Sequence, residues 1–184
     1  MKNTYVYHRK SFDFIGDKLY SLNDIKTIHP SIYESSIKKY EGREWILDIT
    51  IPPLNCLWND VIHTSLMHPS LIYKTLNEIG LLHRKSILWF EIPLDDILKF
   101  SNTLYLNDRV DRDGDKTISF LETDFEPVNS NRIVELSGMP DINLKYYHEC
   151  FKKSEQCLLW NYAPHLFLKG VLDVSKYRVF DWKD

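Results

Sequence analysis

Glycine is scarce in this chain. Six glycines among 184 residues leave no Gly-rich loop to cradle a phosphate, and neither a Walker motif nor a dinucleotide fingerprint occurs. Cysteine is scarcer: Cys56, Cys150 and Cys157 are odd in number and contain no Cys-x-x-Cys pair, which reads as reduced, buried thiols. No apolar run approaches a membrane span, so a transmembrane reading is excluded. The opening Met-Lys-Asn-Thr-Tyr-Val-Tyr lacks the apolar stretch and cleavage site of a secretory signal, and a cytoplasmic protein is expected. Excess positive charge is also missing. The net charge of −3 argues against broad attraction to nucleic acid or anionic lipid. No Gly-x-Ser-x-Gly elbow occurs, and none of the three cysteines has an identifiable activating partner, so a serine or cysteine hydrolase is not indicated.

What remains is ordinary globular material: 43% hydrophobic and 14% aromatic residues suit one domain with a sizeable core. The densest stretch is Ile51 to Pro69, IPPLNCLWNDVIHTSLMHP. There Leu54, Leu57, Trp58, Val61, Ile62 and Leu66 supply apolar bulk, with Asn55, Asn59, Asp60, His63 and Ser65 set among them. A buried polar group left unpaired costs about 1–3 kcal/mol, so these side chains must find partners or serve a site.

Around that block the pattern alternates short strands and helices. Thr4 to Lys10 reads as a first strand, and Ser21 or Asn23 as the cap of a helix. Ser31 begins a second helical stretch that Gly42 ends, followed by a predicted strand over Trp45 to Ile51. Asp60 to Ser65 fits a strand or a short helix. Pro69 opens and Gly80 stops a strongly periodic helix. Ser86 to Pro93 and Asn102 to Leu106 read as strands, and Leu144, Tyr147 and Phe151 belong to a helix that leads into a predicted strand over Glu155 to Trp160. Gly170 to Val174 and Tyr177 to Trp182 are β-like. Without regular βαβ spacing, the fold class is α+β: one domain, a mixed or largely antiparallel sheet and flanking helices.

Two motifs invite a metal. Asp111 to Glu122, DRDGDKTISFLE, carries acids at positions one, three and five and Glu122 at twelve of an EF-hand loop. Position six needs a left-handed turn and is Lys116, a cation with a Cβ, and the preceding residues read as strand; an acidic hairpin is expected rather than a calcium site. Asp60, His63 and His68, with Glu91, hold zinc-ligand chemistry, but His-x4-His matches neither one helical face nor a zinc signature.

The blocks KYEGRE (Lys39 to Glu44) and IPPLNCLWNDVIH (Ile51 to His63) resemble those of a small protein family of bacilli. The order of elements is similar to that of compact ADP-ribosyltransferases, especially the DarT type that modifies DNA. In that family a first-strand His grips the nicotinamide ribose, an Arg follows a helical segment, and a late strand opens with a catalytic Glu. The resemblance implies NAD as cofactor, His8 as the ribose-binding histidine, and Arg43 and Glu155 as catalytic residues. It also implies that His63 and Ser65, ahead of His68-Pro69, line the dinucleotide cleft. The Glu-x-Glu pair of protein-directed relatives is absent. Two other readings stand beside this one: a non-enzymatic protein whose Asn55 to His63 block serves a protein partner, and a metal-dependent hydrolase using Asp60, His63 and His68. No element singles out DNA, RNA, protein or a small molecule as acceptor.

Overall fold

The computed structural model describes residues 4–81, 85–108 and 119–184. In chain order its strands are β1 (Tyr5–Arg9), β2 (Lys18–Leu19), β3 (Thr50–Ile51), β4 (Cys56–Leu57), β5 (Ile62–Ser65), β6 (Leu88–Pro93), β7 (Ser101–Tyr105), β8 (Phe125–Glu126), β9 (His165–Lys169), β10 (Leu172–Asp173) and β11 (Arg178–Asp181). The helices are α1 (Leu22–Ile28), α2 (Pro30–Ile37), α3 (Pro69–Ile79), α4 (Leu94–Ile97), α5 (Ser130–Glu135) and α6 (Asp141–Lys153). Seven strands form one sheet in the order β11-β6-β1-β5-β9-β7-β8, and every neighbouring pair is antiparallel. The α+β class is therefore realised with a purely antiparallel main sheet, and β2–β10 and β3–β4 are small accessory ribbons.

Alternation along the strands gives the sheet two different faces. Val6, Ile62, Phe90, Ile92, Leu104, Leu166 and Leu168 point to one side, under α4, α5 and the β2–β10 ribbon. Tyr7, Trp89 and Phe180 point to the other, where Ile72 and Leu76 of α3 and Tyr147 and Cys150 of α6 cover them. Trp89, Trp182 and Tyr147 are completely buried there, and large aromatics of this kind dominate core energetics. Farther along that face, Tyr105 and Phe167 meet Ile51, Cys56, Phe120 and Phe125 in a third cluster.

Local signals account for α3: Pro69 fits the first turn, the His68 ring caps the Ser70 N–H at 3.2 Å, and Gly80 closes the helix at φ 93°. Ser21 caps α1, and Asp60 to Ser65 resolves into a 3-10 turn followed by β5. Of the predicted strands, one forms only at its end and another does not form. Glu44–Asp48 is a 3-10 turn, with strand pairing confined to Thr50 and Ile51, because Pro52 and Pro53 cannot continue a ladder. Glu155 to Trp160 is irregular: the chain reverses at Ser154 (φ 56°), and the Glu155 N–H donates to the Cys150 carbonyl at 2.9 Å. Side chains of α6 then take the place of a neighbouring strand. The Tyr146 hydroxyl accepts from the Leu158 N–H at 3.0 Å, and the Tyr147 hydroxyl donates to the Leu159 carbonyl at 2.5 Å. Of the EF-hand-like stretch, residues 111–118 lie outside the described residues, while Glu122 opens a 3-10 turn after them. Among the described residues, no helix is long and apolar enough to cross a membrane.

Candidate functional site

Strand β1 separates the two halves of the sheet unequally. Against β6 it is paired from Tyr5, opposite Pro93, to Arg9, opposite Trp89. Against β5 the register holds at Tyr7 opposite Ser65, and the strands then part. His8 stands at that parting. Its Nδ1 donates to the His63 carbonyl at 2.8 Å, so a side chain replaces a ladder bond. Burial lowers the His8 pKa to about 4, which keeps the ring neutral at physiological pH. With the proton on Nδ1, Nε2 is a hydrogen-bond acceptor, and it has no partner among the described residues.

The ring forms one wall of a cavity of about 90 Å³ beneath the α1–α2 hairpin, with Phe14, Leu19, Tyr20, Ile25 and His29 among its other walls. The cavity is apolar on most sides, with a few polar groups converging on it, the pattern of a small-ligand site. Its size suits a single ring or sugar.

Behind His8, His63 is locked rather than available. Its Nε2 donates to the Trp58 carbonyl at 3.0 Å, and its ring lies 4.4 Å from Trp58 and 4.7 Å from Phe167. Burial first, and then the neighbouring His165, hold its pKa well below the ordinary value. Its contribution to the site is the backbone carbonyl that orients His8. Ser65 is completely buried, and its hydroxyl both donates to the Met67 carbonyl at 3.2 Å and accepts the Met67 N–H at 3.1 Å. It shapes the turn into α3.

Arg43 lies at the end of the Lys39 to Glu44 block, where Gly42 adopts φ 80° and the Arg43 N–H donates to the Tyr40 carbonyl at 2.9 Å. The guanidinium folds back over Tyr40, 5.5 Å from the ring centre, and donates from Nε and Nη2 to the Lys39 carbonyl at 3.2 and 2.9 Å. The Lys39 amine lies over the same ring at 5.1 Å. Lys39 adds a small opposition to the protonation of His8 and His63, behind burial, and neither it nor Arg43 lines the His8 cavity. Sequence reasoning singled out Arg43 and passed over Lys39. The available signal was the spacing: two cations four residues apart, flanking an aromatic.

Glu155 stands apart from this group. It is exposed on the reversal after α6, and its side chain makes no hydrogen bond or ion pair among the described residues. The structure thus joins His8 to His63 by a hydrogen bond, sets Ser65 two residues along β5, holds Arg43 over Tyr40, and leaves Glu155 on a separate exposed segment.

The alternative metal constellation does not assemble. Asp60 accepts from the Leu57 N–H at 2.8 Å and from Asn23, His63 is held by Trp58, and the His68 Nδ1 is engaged by Ser70. Among the described residues, no three His, Cys, Asp or Glu side chains gather to hold an ion. Comparison with family models, curated proteins and solved structures finds no match to this chain.

Proposed function

We propose that this chain binds NAD and is an ADP-ribosyltransferase-like protein, with a ribose of the dinucleotide seated against His8. The observation that carries the reading is the neutral His8 ring at the parting of β1 and β5, its Nδ1 committed to His63 and its Nε2 turned acceptor. A ribose hydroxyl is the donor that such a nitrogen takes, and the fixed tautomer selects it over an acceptor group. The residues present fit the rest of the molecule as well. A cavity of about 90 Å³ holds one ring, and the diphosphate is assigned to Arg43, which is not among the residues lining that cavity.

NAD, when bound, supplies a glycosidic bond to a cationic leaving group. The chain's own part is to orient the sugar through His8 and hold the anionic portion through Arg43. The resemblance gives the catalytic carboxylate's part to Glu155, which stands on a separate exposed segment, so the reading proposed is of binding at His8.

Calorimetric titration with NAD tests this, on the wild type and on His8→Ala and Glu155→Gln, with folding checked by circular dichroism. His8→Ala is expected to weaken binding about tenfold or more, the effect of losing one hydrogen bond and its contacts. Glu155→Gln, on a separate exposed segment, is expected to retain binding. A folded wild-type protein that shows no binding at millimolar NAD would overturn the reading.

A further inference from the structure

We infer that a second cavity, of about 270 Å³ between the start of β1, the turn into α3 and α5, takes a small neutral acyl compound whose carbonyl oxygen sits on Tyr7 and His68. It shares no lining residue with the His8 cavity, because adjacent residues of β1 point to opposite faces of the sheet. Two donors carry the inference. Tyr7 is only 8% exposed, yet its hydroxyl has no hydrogen-bond partner among the described residues. A phenol buried to that degree ordinarily finds one, and this side chain lines the cavity. Burial first, and then the Glu91 carboxylate, push its pKa up to about 12, so the hydroxyl keeps its proton to donate. His68 supplies the second donor. Its Nδ1 accepts the Ser70 N–H at 3.2 Å, which puts the proton of the neutral ring on Nε2. That N–H has no partner among the described residues, and the ring lines the same cavity, edge to face with Tyr7 at 4.9 Å.

Two neutral donors side by side match the two lone pairs of one carbonyl oxygen. The charges beside them cancel. Glu91 is the cross-strand neighbour of Tyr7, Arg178 is the cross-strand neighbour of Glu91, and the carboxylate and guanidinium approach to 3.8 Å. Lys74, the other charge that acts on His68, is exposed to water and screened. No net charge is left to hold a carboxylate or an ammonium group, and either would lose its hydration on entering. The other walls set the rest of the ligand. Leu66 and Ile133 are buried, and Val134, 62% exposed, marks the side open to water. Branched aliphatic walls of this kind suit an alkyl chain, laid along them while the oxygen rests on the two donors; a largely apolar cavity with a few polar groups is the usual form of a small-molecule site.

Titration of the full chain with hexanamide, followed by NMR, tests the site. Binding is expected to shift the backbone amides of Tyr7, Leu66 and Ile133. Hexanoate and hexylamine, equal in length but charged, are expected to bind at least about tenfold more weakly. Tyr7→Phe removes the hydroxyl and keeps the ring, and His68→Asn removes the Nε2–H and keeps a side chain able to cap α3. Each is expected to weaken hexanamide binding about fivefold, as loss of one neutral hydrogen bond does, with folding checked by circular dichroism. Saturating NAD is expected to leave hexanamide binding unchanged. A folded wild type that shows no shift at high-millimolar hexanamide would overturn the site, and so would unchanged affinity in either folded variant. Hexanoate binding as tightly as hexanamide would overturn the neutral-ligand assignment, and displacement by NAD would overturn the claim that the two cavities are separate sites.

Discussion

The α3–α6 pair and the α1–α2 pair are held to the molecule by different forces. Helix α3 buries Pro69, Ile72, Thr75 and Leu76, and α6 buries Asn143, Tyr147 and Cys150, all against the Trp89 and Trp182 side of the sheet. Helix α1 buries Leu22 alone, and α2 buries nothing. Their attachment is polar instead. Asn23 donates to Asp60 and accepts from the Asn59 amide, Ser21 caps the first turn of α1, and Ser35 of α2 reaches Asp13 at 2.7 Å. The apolar residues of this hairpin, Ile25 and Ile32, face the His8 cavity rather than the core. A helix pair that leaves its apolar face toward an open cavity contributes little to folding free energy, and it is free to serve as the wall of a site.

Three measurements would break or sharpen that contrast. The largest effect is expected for Trp182→Ala. Its ring is fully buried, lies 5.4 Å from Tyr73, and donates from Nε1 to the Lys85 carbonyl at 3.1 Å. Truncation should cost about 3–5 kcal/mol in urea denaturation, and a loss below about 1 kcal/mol would show that the α3–α6 side is not the stabilising one.

Next comes acid. Burial holds the His165 pKa at about 4 in the folded chain against an ordinary 6.5, and the ring is only 5% exposed. The unfolded state therefore binds the proton more readily. The contribution is fully present above pH 6.5 and declines as the pH falls from there toward about 4. At about 1.4 kcal/mol per unit of pKa, one such histidine accounts for about 3 kcal/mol of acid destabilisation. His8 and His63 shift in the same direction, so denaturation curves at neutral pH and near the lower limit should differ by more than this, and His165→Gln should reduce the difference by its own share. An unchanged pH dependence in the variant would place the acid sensitivity elsewhere.

The smallest effect is expected on the polar side. Asn23→Ala removes both the Asp60 and Asn59 links and should cost about 1–2 kcal/mol, felt locally. Hydrogen exchange should quicken across α1 and α2 while α3 and α6 keep their protection. A uniform loss of protection would mean that the two helix pairs unfold as one unit.

What could be read from the sequence follows the range of the forces involved. Helix α3 was legible because its start, stop and apolar spacing are local: His68-Pro69, Gly80, and Ile72 with Leu76 four residues on. Strands β1 and β6 were legible from runs of β-branched and aromatic residues. The stretch Glu155 to Trp160 misled because Cys-Leu-Leu-Trp has the composition of a strand. Its backbone groups are satisfied by tyrosine hydroxyls from α6, a partner that no local pattern reveals. In the candidate site, His8 and Arg43 could be named in advance. Their surroundings could not, because His8 is oriented by the His63 carbonyl and Arg43 folds over the Tyr40 ring.

By itself, then, the sequence determined the helical and extended segments whose signals lie within a few residues, the α+β class, and the side chains able to do chemistry. Only the tertiary structure decided which of those side chains were already committed. His63 and Ser65 are tied to backbone groups, His8 spends Nδ1 on the His63 carbonyl, and Lys39 and Arg43 both lie over the Tyr40 ring. Hydrogen-bond commitment and charge crowding depend on where distant segments come to rest in space. Propensity and periodicity, which act over one or two turns, carry no information about that.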